Sequence, residues 1–563
     1  MANPHAPYHP IIYVRGFAGT QSEIEATVAD PFMGFNIGST KSRRIWDGTM
    51  RRYFFESPLV RLKDEIIWRR TATGRERSDQ WYDDVYVNGE DLTAPDPDDK
   101  TKPLRSDITL PYQSIAILRY YDDASNEFGD GQPHPITHFA QNLGELILRM
   151  RTLVCRKNGK HPILGDPLDN GVEEKDFKIY LVAHSMGGLV CRAFLQNDTL
   201  GTQEARDAVD KLFTYATPHN GIDLRVVRNV PGWGALGDAT NFNRDTMKSY
   251  LKLAPTATDV SELTHFPAER VFNLVGSNPA DYLALQGLSS WAVGDASDGL
   301  VRMDNATTFG MVGPEEGPRL RVDSPRAFVF RSHSGHYGIV NSEEGYQNLT
   351  RFLFGSVRTD GILDIEEVAL PEEVEAKRKS GHAVRASYRF EIVATLRRSQ
   401  WQLHRRVVRE NSAIQRKFDD LFPDQGPGIA RKAAQAASPH LFSIFLDPTR
   451  ASPDLGNSIA FAFDLNVLVP DYEVDGVLWL NKHFEGGFLY RDQILVEAVP
   501  DPAAAGGWRL QYGFQSQTPN VAAIPAPVSP QAGALTFKIP VVSPPGTTPG
   551  IKAQLRIEMR TWA

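Results

Sequence analysis

Ser185 lies in the run Ala183-His184-Ser185-Met186-Gly187-Gly188, with small residues two before it and two and three after it. A hydroxyl in that setting is a candidate nucleophile for acyl transfer. The chemistry needs a base to take its proton, a carboxylate to orient the base, and N–H donors to hold the oxyanion. Histidines suited to the base stand far downstream, in Arg331-Ser332-His333-Ser334-Gly335-His336-Tyr337-Gly338. Gly335 and Gly338 flank His336, which makes it the first choice, with His333 as the rival or a supporting donor. The carboxylate is assigned to Asp298 in Asp295-Ala296-Ser297-Asp298-Gly299-Leu300-Val301, because Gly299 allows a tight turn and Leu300-Val301 can anchor it; Asp281, Asp295 and Asp304 are the alternatives. The oxyanion donors are taken as the backbone N–H groups of Met186 and Phe17.

These residues must be gathered by the elements around them. Ile179-Tyr180-Leu181-Val182-Ala183 is an apolar run, and Leu189, Val190, Ala193, Phe194 and Leu195 resume at helical spacing after the serine. That predicts a nucleophile elbow, a strand turning sharply into a helix with a strained serine at the tip. Ala183 and Gly187 leave room across the turn. The Met186 amide then falls in the first helical turn, where N–H groups have no intrahelical partner. Upstream, Ile11 to Val14 reads as a buried strand that breaks into Arg15-Gly16-Phe17-Ala18-Gly19, a loop suited to the second donor.

Further strands are predicted at Ser114–Tyr120, Leu212–Ala216, Val271–Gly276 and Ala327–Phe330. A helix capped by Thr137 follows the first of these, and a closing helix carries Tyr346, Leu349, Phe352 and Leu353. Strands alternating with helices predict a mainly parallel, doubly wound sheet. Two stretches interrupt the alternation, residues 24–110 and 222–268, and read as lid or cap insertions. In the first, Lys41 to Arg77 holds eleven Lys or Arg against five acids, interleaved with Trp46, Tyr53, Phe54, Phe55 and Trp68, while Asp79 to Asp99 holds eight acids and no Lys or Arg. The blocks nearly cancel, so their pairing is favoured over docking on an anionic lipid surface, though a peripheral membrane contact stays open.

The chain has 563 residues, a net charge of −8 and two cysteines. The length calls for two or more domains. The charge argues against nucleic acid as the main partner, and Cys155 and Cys191 make neither a disulfide framework nor a metal site. No cofactor is expected, and no Cys or acid spacing around the histidines completes a metal set. Met1 to Pro10 lacks a basic region followed by an apolar one, and no run nears 18 apolar residues, so a soluble protein without a Sec leader is expected, cytoplasmic or exported by a leaderless route; a mature form trimmed of a leader would read the same.

Residues 356–380 are polar and acidic and read as a linker. Beyond them, 381–563 reads as an all-β, sandwich-like accessory domain. Its strands are expected at Arg385–Leu396, Trp401–Val408, Leu441–Leu446, Ala460–Leu468, Val474–Leu480, Leu489–Glu497, Trp508–Gly513, Leu535–Val541 and Lys552–Met559. Helix-like stretches are expected at Asn411–Leu421 and Ile429–Ala437. This half carries no catalytic motif, and neither its ligand nor an oligomeric state can be read from it.

The order Ser185, Asp298, His336 resembles that of α/β-hydrolases of the lipase/esterase type over residues 1–355. A-H-S-M-G-G resembles the elbow of small bacterial lipases, and H-Y-G-I-V-N-S from His336 their histidine segment. S-D-G-L-V resembles the acid loop of bacterial true lipases. T-P-H-N-G at Thr217–Gly221 resembles a run shared by lipases and GPI inositol-deacylase-like proteins. Arg15-Gly16-Phe17 departs from the usual His-Gly before the oxyanion donor. The resemblance implies a Ser-His-Asp hydrolase of carboxylic esters of lipids: a lipase, esterase or phospholipase. An acyltransferase on the same residues and a non-catalytic lipid- or partner-binding relic are the alternatives.

Overall fold

The computed structural model describes residues 8–16, 110–121, 134–156, 172–222, 241–279, 296–314, 319–334, 337–397, 401–422, 438–448, 456–474, 482–504, 507–517 and 534–562, with shorter stretches between them. The chain divides into two compact units, Met1–Arg326 with Phe330–Phe354, and Ala327–Val329 with Gly355–Ala563.

Seven of the described strands form one sheet: Ile11–Val14 (β1), Asp84–Val87 (β2), Ser114–Leu118 (β3), Ile179–His184 (β4), Val209–Tyr215 (β5), Val271–Gly276 (β6) and Arg326–Val329 (β7). Their order is β7-β6-β5-β4-β1-β3-β2. The ladders joining β2 through β6 are all parallel. Every residue of β1, β3 and β6 is buried. Helices cover both faces of such a sheet, so its strands are continuous apolar runs instead of alternating ones.

The helices obey the same logic. Ile136–Val154 (α2) buries Phe139, Leu143, Leu146, Ile147 and Met150, one stripe at a spacing of three to four. It begins directly after Pro135, so Thr137 lies inside the first turn and is not its cap. Met186–Gln196 (α3) is buried at every position, Cys191 included. Glu343–Phe354 (α5) is the closing helix.

The stretch 24–110 is more than a cap. It supplies β2 to the sheet edge and the short helix Pro58–Asp64 (α1). Arg61 of α1 lies 2.6 Å from Glu343 and 3.5 Å over the Tyr346 ring, so this part packs on α5. Trp81 is buried and stacks on Phe354 with ring centroids 4.6 Å apart. The side chains of Trp46, Tyr53, Phe54, Phe55 and Trp68 lie outside the described residues. Within 222–268, Arg244–Tyr250 forms a helix (α4).

Lys211 on β5 is fully buried. Its Nζ donates to the Leu353 carbonyl at 3.2 Å, in the last turn of α5, and lies 3.8 Å from Asp210. Burial, opposed only in part by Asp210, lowers its pKa to about 8 from 10.5. Between those values the unfolded chain holds a proton that the folded chain does not, so stability rises with pH across that window. The cost of the buried charge is fully present below pH 8. Lys211→Met should flatten this rise, removing a gain of at most roughly 3 kcal/mol. Urea unfolding of both proteins from pH 7 to 10.5 checks this; equal pH slopes would contradict it.

The second unit is a two-sheet β structure. Val357–Ala369 (β8), His440–Leu446 (β10), Ala534–Val542 (β14) and Gly550–Thr561 (β15) belong to one sheet, in the order β10-β8-β15-β14. Val384–Leu396 (β9), Ile459–Val474 (β11), Lys482–Pro500 (β12) and Trp508–Phe514 (β13) run consecutively in the other. One core joins the sheets, with Phe442 stacked on Phe463 at 4.3 Å.

The expected linker at 356–380 is a correction. It holds β8, paired on both sides, and the helix Glu372–Lys379 (α6). Its acids misled because Asp364 pairs with Arg556 across the ladder at 2.7 Å, and Asp360 is buried between Arg358 and Ser443. The Asn411–Leu421 stretch is mainly a short strand, Ile414–Lys417, and a single helical turn. Ile429–Ala437 lies outside the described residues.

Candidate active site

The elbow forms as its residue types require. β4 ends at His184 and α3 starts at Met186. Ser185 between them has φ 51° and ψ −124°. A side chain at positive φ costs about 1–3 kcal/mol and persists only where its surroundings impose it. Here the Ser185 N–H donates to the Tyr215 carbonyl at the end of β5, at 2.9 Å. The small residues after it are also required by neighbours outside the turn. A Cβ on Gly187 would come within 2.3 and 2.4 Å of the Val14 and Arg15 carbonyl oxygens, and one on Gly188 within 2.1 Å of Thr217 Oγ1. The turn is pressed against the end of β1 and against Thr217. Gly16 is equally constrained, since a Cβ there would lie 2.8 Å from Ser185 Cβ.

Ser185, Asp298 and His333 are all buried, at 3%, 1% and 3% exposure. His333 Nε2 lies 2.9 Å from Ser185 Oγ, and its Nδ1 lies 2.9 Å from Asp298 Oδ2. A carboxylate can only accept, so Nδ1 carries the hydrogen and Nε2 is left to accept from the serine hydroxyl. The other Asp298 oxygen accepts from the Leu300 and Val301 amides at 3.0 and 2.8 Å. The His333 N–H donates to the Asp298 carbonyl at 2.9 Å. Acid loop and histidine loop are thus tied through main chain and side chains together. Gly299 adopts φ 100°, the positive-φ turn expected of it.

The histidine that meets the serine is therefore His333, not the favoured His336, which lies outside the described residues. The Ser332 N–H donates to the Tyr337 carbonyl, and the Ile339 N–H donates to the Ser332 carbonyl. Ser332 and Gly338 are bridged, so the described residues on either side of 335–336 are held together, with His333 beside the serine. The place of His333 is set by Asp298, which no local spacing reveals. Among the acid alternatives, Asp304 is exposed on the turn Met303–Ala306. Asp281 and Asp295 lie outside the described residues, as does Phe17. Met186 is the first residue of α3, where the N–H has no intrahelical acceptor and the helix dipole favours negative charge.

Thr217–Gly221 proves architectural. The His219 carbonyl accepts from the Arg192 guanidinium of α3 at 2.9 Å, and Arg192 also donates to the Val260 and Glu262 carbonyls. Asn220 Oδ1 accepts from the Val260 amide at 3.1 Å. Burial lowers the Arg192 pKa to about 10 and drives that of His219 well down. Arg192, unremarked in the sequence, pins residues 260–262 to the elbow helix. No group of three or more His, Cys, Asp or Glu able to hold a metal occurs among the described residues.

A mainly parallel sheet with Ser185, His333 and Asp298 in line at a strand–serine–helix turn is an α/β-hydrolase-like fold, here joined to an antiparallel β-sheet unit. The profile of a family described as a PGAP1-like alpha/beta domain matches residues 141–230, which include the elbow. The chain is similar to the mature form of the Bacillus licheniformis lipase BlEst2, at 14% identity and a TM-score of 0.27, over 63% of this chain and 94% of that one. The propeptide form of the same lipase is similar at 12% identity and a TM-score of 0.27, over 97% of this chain and 96% of that one. No curated protein matches the chain. No helix among the described residues is long and apolar enough to cross a membrane.

Proposed function

We propose that the protein is a serine hydrolase of carboxylic esters of lipids. The observation that carries this reading is the line Asp298 Oδ2–His333–Ser185 Oγ, with both steps at 2.9 Å. His333 Nε2 takes the Ser185 proton as the oxygen attacks the ester carbonyl. Asp298 holds the imidazole in the required tautomer and stabilises its charged form. The Met186 amide, with the Phe17 amide that the sequence nominates, receives the oxyanion. Loss of one such donor costs about 10²–10³-fold in rate where it has been measured. The imidazolium then gives its proton to the leaving alcohol. Water, deprotonated by His333, releases the acid and restores the serine. The lipid character of the substrate rests on the motif resemblances and on the lipase-like fold.

A fluorophosphonate probe tests the nucleophile. Wild type should be labelled and Ser185→Ala should not; labelling that survives the substitution refutes the assignment. A panel of esters of graded acyl length and of phospholipids, with and without added alcohol, then reports substrate class and separates hydrolysis from transfer.

A further inference from the structure

We propose that His184, the residue before the serine, is a positioning residue for the His333 imidazole. This rests on the reading of Ser185 and His333 given above. His184 Nε2 lies 3.0 Å from the His333 carbonyl oxygen, which can only accept, so Nε2–H is the donor. The two rings sit with centroids 5.0 Å apart at 44°. On the other side of the His333 Cα, the His333 N–H donates to the Asp298 carbonyl at 2.9 Å. The two peptide groups that flank the base are thereby each held, the preceding one by the acid loop and the following one by the elbow.

The grip from the elbow is stiff. His184 and Ser185 are consecutive, and the Ser185 backbone is fixed at φ 51°. The His184 ring is also backed by Gly16, where a Cβ would come within 2.9 Å of Nδ1. One peptide bond and one hydrogen bond therefore set the distance from the nucleophile to the backbone of its base. Burial, with His333 and Arg15 nearby, keeps the His184 pKa well below that of an ordinary histidine. The ring stays neutral and adds no charge against the imidazolium that forms on His333.

Glutamine places its amide nitrogen where histidine has Nε2, whereas asparagine is too short to reach that point. We expect His184→Gln to keep kcat within about threefold of wild type, and His184→Asn to lose about 10–100-fold in kcat with KM little changed, the size of effect a misplaced catalytic group produces. The rate of fluorophosphonate labelling at Ser185 should fall in the same order. Wild type that the probe does not label overturns the reading of the site and the inference with it. Labelled wild type with equal losses, or no losses, in the two variants overturns the inference alone. Should His184→Asn not fold, His184→Ala takes its place beside His184→Gln: a loss of about 10–100-fold in kcat against near-wild-type His184→Gln supports the role, and equal kcat in the two refutes it.

Discussion

His333→Ala is expected to lower kcat/KM for ester hydrolysis by about 10⁴–10⁶-fold, while His336→Ala stays within about threefold of wild type. The expectation follows from occupancy. The His333 ring already makes both contacts that a base needs, at 2.9 Å to Ser185 Oγ and 2.9 Å to Asp298 Oδ2. Its backbone N–H is held by the Asp298 carbonyl as well. With alanine in its place, the acceptor that the described residues hold beside the serine hydroxyl is gone, and the remaining rate is that of oxyanion and substrate binding. Steady-state kinetics on a soluble ester suffice. The reverse outcome, with His336→Ala inactive and His333→Ala active, would return the base to the residue that the flanking glycines favoured.

Asp298→Asn is the second large effect, at about 10⁴-fold in kcat. The substitution is nearly isosteric and should not disturb the loop. The asparagine oxygen can still accept from the Leu300 and Val301 amides, as Asp298 Oδ1 does at 3.0 and 2.8 Å. Its NH₂ then faces His333 Nδ1, which must become an acceptor. The imidazole hydrogen moves to Nε2 and points at Ser185 Oγ, where a proton can no longer be received. The variant should therefore fold like wild type, with an unchanged melting temperature, yet turn over very slowly. Asp304→Asn, at an exposed carboxylate, is the control and should change little. A loss below about tenfold in Asp298→Asn would mean that another group orients the base.

A substitution of the nucleophile, base or acid reports on chemistry, whereas one at His184 reports on alignment. In the proposed roles the two kinds of result separate because the serine, the base and the acid form the reacting line, while His184 touches the base at its carbonyl and ring. The buried Lys211 belongs to neither group. Its contribution is to stability, and it is visible only as a pH slope.

Local signals were enough for the elbow. An apolar strand, a serine between small residues and a helical repeat act within a dozen positions, so composition and spacing determined them directly. The apolar runs of the parallel sheet and the alternation of the C-terminal strands were legible for the same reason: burial on one or both faces writes its period into the chain. Asp298 was also readable, because the tight turn that presents it needs the glycine beside it. What only the tertiary structure decided was which histidine reaches the serine. His333 and His336 stand three positions apart among similar sequence neighbours, and the contact with the serine goes to the one held by Asp298, 35 positions away in the chain. The strand at Val357–Ala369 was hidden likewise, since two of its acids, Asp360 and Asp364, are paired by Arg358 and Arg556 and therefore do not face water alone. The atoms that exclude a side chain at Gly187 and Gly188 belong to the end of β1 and to Thr217, partners that the sequence does not place beside them. Periodicity records whether a residue is buried; it does not record what it is buried against, and the site depends on the second.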